Sequence, residues 1–158
     1  MARDETAPSR GLALVRLTLG VLVTRQAWDW AAGDGLAPRV VRGWLEGAGD
    51  GLFGWWADTV LLHNPDGTAF LLAWLTLAAG LGLTLGAFTR PAATWVALVA
   101  GHGWLAGVGH GPVAVLVLVV ALACALSRAG RRLGLDAALD GSLPGWMTWV
   151  RGRSNFLD

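Results

Sequence analysis

Ionisable side chains are scarce in the apolar parts of this chain, so each one found there is a candidate for chemistry. Arg16 (GLALVRLTLG) and the pair Arg25 and Asp29 (VTRQAWDWA) fall within a single apolar stretch. A charge inside such a stretch costs roughly 2.5–3.5 kcal/mol on membrane-insertion scales, which makes it a functional candidate by default. Arg25 and Asp29 are spaced i, i+4 and can pair on one helix face. Arg16 and Arg25 are nine residues apart, which turns them about 180° from each other, so they do not share a site. A guanidinium here suits a quinone carbonyl, with Asp29 or His102 handling the proton. The plain alternatives are snorkelling of Arg16 toward phosphates and a structural ion pair between Arg25 and Asp29 beside Trp28.

The three histidines, His63, His102 and His110, raise a metal or haem centre. His102 and His110 are eight residues apart, about 80° around a helix and roughly 12 Å along it. They cannot hold one ion without a helix break, and no other apolar stretch supplies a histidine. No metal or haem is therefore expected within this chain alone. His102 is expected to hydrogen-bond inside the helices, to line a polar pocket, or to ligate a pigment whose site a partner or water completes. Arg16, Arg25, Asp29 and His102 together form the candidate set for a quinone or pigment pocket. The single Cys124 excludes an internal disulfide and any multi-cysteine metal or iron–sulfur site. Flanked by alanines, it reads as an inert small hydrophobe. No Ser–His–Asp arrangement, phosphate loop or dinucleotide fingerprint is present, and the glycines at 101–111 follow no strand.

The elements that must position these residues are apolar helices. Of 158 residues 54% are hydrophobic and only 15% charged, against about 25% charged in soluble domains; mean hydropathy is +0.53. A spanning helix needs about 20 apolar residues, and four stretches qualify, at about 11–31, 68–88, 92–108 and 112–128. Pro91 and Pro112 fit the first turns of the last two, where a missing N–H costs little. All twelve basic residues are arginine. With both termini cytoplasmic, Arg3, Arg10, Arg90, Arg128, Arg131, Arg132, Arg151 and Arg153 lie inside, and only Arg39 and Arg42 outside. The expected fold is all-α: an integral membrane four-helix bundle with short interfacial amphipathic helices. The expected location is the bacterial inner membrane. A net charge of +1 gives no reason to invoke nucleic acid. The N-terminal MARDETAPSR does not read as a cleavable secretory signal.

Lipid tails are as apolar as leucine, so small residues must let the helices approach. Ala78/Gly82/Gly86, Gly103/Gly107/Gly111 and Ala121/Ala125/Ala129 each repeat every four residues and are the expected contact stripes. The connection at 38–62 carries Val40, Val41, Trp44, Leu45 and Ala48, then Phe53, Trp56, Val60 and His63 after a GAGDG break. Both pieces read as interfacial helices over the outer mouth of the bundle. A cytoplasmic amphipathic tail, 140–158, interleaves Trp146, Trp149, Val150 and Phe156 with Arg151 and Arg153.

Three segments, LALVRLTLG around Arg16, GLGLTLGAFTRPAA through Thr89-Arg90, and AGRRLGLDAAL with Asp136, resemble the DoxX family of small membrane proteins. That family includes the small membrane subunit of thiosulfate:quinone oxidoreductases. The resemblance covers about 11–31 and 68–139 and implies a four-helix membrane domain over 1–139, with quinone-linked or thiol redox partners in some members. The tryptophan-rich first connection and the tail depart from it and look like surfaces for assembly. The expected function is an accessory or assembly subunit of a larger redox or energy-transducing membrane complex, bound to other membrane subunits and lipid. The alternative is a quinone-binding oxidoreductase subunit. A small-solute transporter stands third, since no paired inverted repeats or broken helices are evident. No cofactor is expected within the chain alone, and a quinone, lipid or pigment would sit at a partner interface.

Overall fold

The structure, a computed structural model, describes residues 7–33, 36–47, 51–61, 63–107, 111–126 and Leu135. The tail 140–158, His110, Ala48, Ala129 and Asp136 lie outside the described residues. The described elements are all helical: α1 (Ala7–Ala32), α2 (Leu36–Gly47), α3 (Leu52–Trp56) running into a π-helical turn (Ala57–Leu61), α4 (Pro65–Leu85), α5 (Thr89–Leu105) and α6 (Gly111–Leu126). By length and composition α4 is able to cross a membrane, and α6 is apolar but shorter.

The four apolar stretches become α1, α4, α5 and α6, but α4 and α5 each run three residues earlier than the hydropathy predicts. Local chemistry sets those ends. Asn64 caps α4 by accepting from the Gly67 amide at 2.9 Å, with Pro65 in the first helical position. Gly86 then ends α4 in the left-handed region (φ 68°), and Ala87 N–H donates to Gly82 O at 2.8 Å. Replacing Asn64 by Ala is expected to lower stability by about 1 kcal/mol, read as a small drop in melting temperature.

α1 and α4 form the most extensive helix pair, α5 and α6 the next, and α4 joins α5. Neighbours run antiparallel: Gly20 meets Thr84 while Gly80 meets Thr24, and Arg90 Nε donates to Ala125 O across α5 and α6 at 3.2 Å. The contact between α1 and α6 is much slighter. The bundle is thus two helix pairs, joined along α4–α5 and nearly parted along α1–α6.

The α1–α4 seam corrects the expected stripe. Ala78 is exposed, and the contact runs through Gly80 and Gly20 instead. A Cβ on Gly20 would stand 2.5 Å from the Thr84 amide nitrogen, and one on Gly80 would stand 2.6 Å from that of Thr24. Each threonine hydroxyl donates back to the glycine carbonyl of its own helix, at 2.8 Å for Thr24 and 2.9 Å for Thr84. GVLVT (20–24) and GLGLT (80–84) therefore clasp each other reciprocally, as in a two-fold contact. Ala121 and Ala125 on α6 are buried, as their spacing predicts. Among the described residues a Cβ added at Gly107 or Gly111 would meet nothing within 4 Å, and Gly107 sits in the left-handed region (φ 64°) just past α5.

α2 and α3 cap the end of the bundle where α1 and α5 finish and α4 begins. Ala37, Val41 and Trp44 on α2 bury against Ala69, Leu72 and Ala73 of α4 and Ala106 after α5. Gly47 lies so close to the Ala106 carbonyl that a Cβ there would collide with it. In the second piece Phe53 and Trp56 pack inward as expected, whereas Val60 and His63 are exposed. For Val60 the cause is the π-helical turn, which brings Ala57 and Leu61 inward instead, while His63 lies beyond it in the turn before α4.

Candidate functional site

A cleft of about 730 Å³ opens at the α1–α6 seam, between α1, α5 and α6, with α2 across one end. α1 contributes buried Leu19 and half-buried Val23 to its depth, exposed Leu22 to its open side, and Arg25, Gln26 and Asp29 to its rim at the capped end. Val96, Val99 and Ala100 of α5 and Val113 and Val117 of α6 form the opposing apolar walls. Trp30 and Trp44 close the end under α2. Deep in the cleft the wall includes buried Thr76, whose hydroxyl accepts from Trp95 Nε1 at 3.1 Å. That bond satisfies both polar groups inside apolar surroundings.

The structure brings only two of the four candidate residues together. Arg25 and Asp29 share the rim, exposed and one turn apart. No salt bridge joins them among the described residues. The order of the pair explains this: an i, i+4 pair is weaker with the cation on the N-terminal side, and the short Asp side chain reaches little. The expected ion pair is therefore replaced by a cation and an anion that both face the cleft mouth.

His102 faces the cap rather than the cleft. Its ring lies 4.6 Å from that of Trp56, 5.8 Å from Trp44 and 5.9 Å from Phe53, centroid to centroid. Its Nδ1 is 2.6 Å from Leu98 O. A carbonyl only accepts, so Nδ1 carries the proton in that contact. Trp44 stacks on His102 and also lines the cleft, so His102 bears on the cleft through that one ring.

Arg16 lies toward the opposite end of the bundle and is 1% exposed, the largest fully buried side chain described. It is close enough to the buried Cys124 thiol to act on it electrostatically. Buried Thr89 and half-buried Arg90, which open α5, occupy the same end. The half-turn between Arg16 and Arg25 thus separates them as their spacing predicts, and Arg16 packs inside the bundle instead of snorkelling out of it.

Sequence reasoning passed over Gln26, Trp44 and the Thr76–Trp95 bond. Gln26 carried a signal, as an amide inside an apolar stretch between Arg25 and Asp29. Trp44 reads only as one of the apolar residues of the interfacial piece, and with ten tryptophans spread through the chain nothing marks it as a cleft residue. The arrangement can hold a long apolar molecule with a polar head at the rim. Among the described residues no three His, Cys, Asp or Glu side chains gather to hold a metal. No family model, curated protein or solved structure matches the chain.

Proposed function

We propose that this chain is a DoxX-like, multi-pass subunit of the bacterial inner membrane, which assembles with other membrane proteins of a redox or energy-transducing complex. The observation that carries the reading is an inverted distribution of side-chain size. Most buried apolar residues described are alanine, while Leu14, Leu22, Phe70, Trp74, Leu116 and Leu126 are exposed. Water would penalise that surface heavily, and contiguous apolar patches on soluble monomers rarely pass a few hundred Å². Lipid favours it, because helices in a bilayer associate by close approach of small residues. α1, α4, α5 and α6 are the four passes of this reading.

The ends of the bundle support an orientation. Every acidic residue with a described position (Asp29, Glu46, Asp58 and Asp66) lies at the capped end, together with exposed Trp28, Trp55 and Trp104. Those tryptophans suit the headgroup layer, and the arginine bias puts the other end in the cytoplasm. The test is purification from native membranes in mild detergent with mass spectrometry of companions. A stable set of membrane partners supports the reading. Release of the chain by carbonate, or a chain that always purifies alone, sinks it.

The cleft favours a second reading, a quinone-binding subunit that exchanges electrons with a partner. Arg25 and Gln26 offer donors to a quinone carbonyl, Trp30 and Trp44 close the end beside them, and the isoprenoid tail would follow the apolar walls. Organic extraction of the purified protein tests it directly. A quinone at one equivalent, lost in Arg25→Leu, is the expected result on this reading.

A further inference from the structure

We infer that the α1–α6 cleft is a binding site for a single phospholipid with a zwitterionic head, a phosphodiester joined to an ammonium group. The inference rests on the membrane reading above and names a ligand for the cleft. Its basis is the pair of opposite charges on the rim. Arg25 and Asp29 stand one turn apart, exposed and not joined to each other. A quinone head uses the guanidinium but brings no cation to Asp29, which on that reading serves only to carry a proton. A purely anionic lipid does the same and adds repulsion from Asp29. A phosphate-ammonium head satisfies both: Arg25 donates to the phosphate oxygens and Asp29 accepts from the ammonium. Gln26 between them can donate or accept.

The depth of the cleft agrees. From Asp29 down to Leu19 is ten residues of helix, about 15 Å, half of the ~30 Å hydrocarbon thickness. A ligand whose head sits at the rim therefore extends one leaflet inward, where Leu19, Val96 and Val117 line the walls. The slight α1–α6 contact leaves the side open, so one acyl chain lies in the cleft and the other stays in the bilayer. Trp30 and buried Trp44 close that end of the cleft under α2, beside the ester region of such a lipid.

Native mass spectrometry of the full chain in mild detergent tests this, with phosphatidylethanolamine and phosphatidylglycerol titrated in competition. Wild type is expected to retain phosphatidylethanolamine about tenfold better, as one charge-assisted bond implies. Asp29→Asn removes the ammonium partner and is expected to reverse the preference toward phosphatidylglycerol. Arg25→Gln is expected to weaken both. Both side chains are exposed, so these variants leave the packing intact. Equal retention of the two lipids by wild type, an unchanged preference in Asp29→Asn, or a quinone occupying the cleft each overturns the inference. So does soluble glycerophosphoethanolamine competing as well as the whole lipid, since the apolar walls would then be idle. Carbonate washing separates the two levels: a released chain defeats the membrane reading, while a retained chain without lipid preference defeats the lipid site alone.

Discussion

Gly80→Ala is expected to lower stability by about 3 kcal/mol, near the upper end of the usual overpacking cost, or ~6–12 °C in melting temperature for a chain of this size. The added methyl would meet the Thr24 backbone amide at 2.6 Å, and backbone cannot rotate away as a flexible side chain can. α1 and α4 must therefore separate along the seam. Gly20→Ala should behave alike, because its methyl meets the Thr84 amide at 2.5 Å. The sharper prediction concerns the double variant. One separation of the helices relieves both collisions, so the two costs should fall short of additivity by about 1 kcal/mol or more. Melting of all three variants in one detergent decides the matter. Strict additivity, or a Gly80→Ala protein as stable as wild type, would show that the seam is looser than described.

Arg16→Ala is the second large effect, at roughly 3–5 kcal/mol. Truncating a large buried side chain leaves a cavity worth about 2–5 kcal/mol, and groups that met the guanidinium lose a donor at about 1–3 kcal/mol each. Arg16→Lys should recover only part of this, because an ammonium cannot reproduce the planar fork. Cys124 supplies the readout. It is the single thiol and is fully buried within electrostatic reach of Arg16, so a maleimide reaches it only when the helices open locally. Labelling should accelerate by about two orders of magnitude in Arg16→Ala, as a loss of about 3 kcal/mol implies when reaction follows opening. Unchanged labelling would mean that Arg16 holds nothing together at that end.

These two residues mark the limits of what the sequence made legible. Arg16 stood out at once, because a guanidinium in an apolar stretch needs a reason wherever it points. The glycine contact did not. Helices apolar all round carry no moment that says which face turns inward, and four-residue spacings of small residues occur on several faces of α4. Ala78/Gly82/Gly86 and Gly80/Thr84 look equally plausible until α1 is laid alongside. The internal match of GVLVT to GLGLT was available in the sequence, but its meaning depends on the antiparallel pairing.

The site divided in the same way. Arg25 and Asp29 were placed on one face by spacing alone, and one face is where they are. That His102 turns to the cap is a question of helix rotation, which the pattern of α5 leaves open. The π-helical turn at Ala57–Leu61 was equally hidden, since hydrophobic spacing presumes a uniform 3.6-residue period. Helix ends were more recoverable: Asn64-Pro65 and Gly86 are capping residues by type, and hydropathy windows simply ignore them.

The corner between α4 and α5 has a mechanical meaning. Only Gly86, Ala87 and Phe88 connect the two helices, with Gly86 at φ 68° and Phe88 at φ 53°. A bulky non-glycine residue in the left-handed region carries backbone strain of about 1–2 kcal/mol. A tether so short and so conformationally committed forbids sliding of one pair past the other. Among the described elements the molecule is built like a book with its spine at that corner and its loosest edge where α1 and α6 meet.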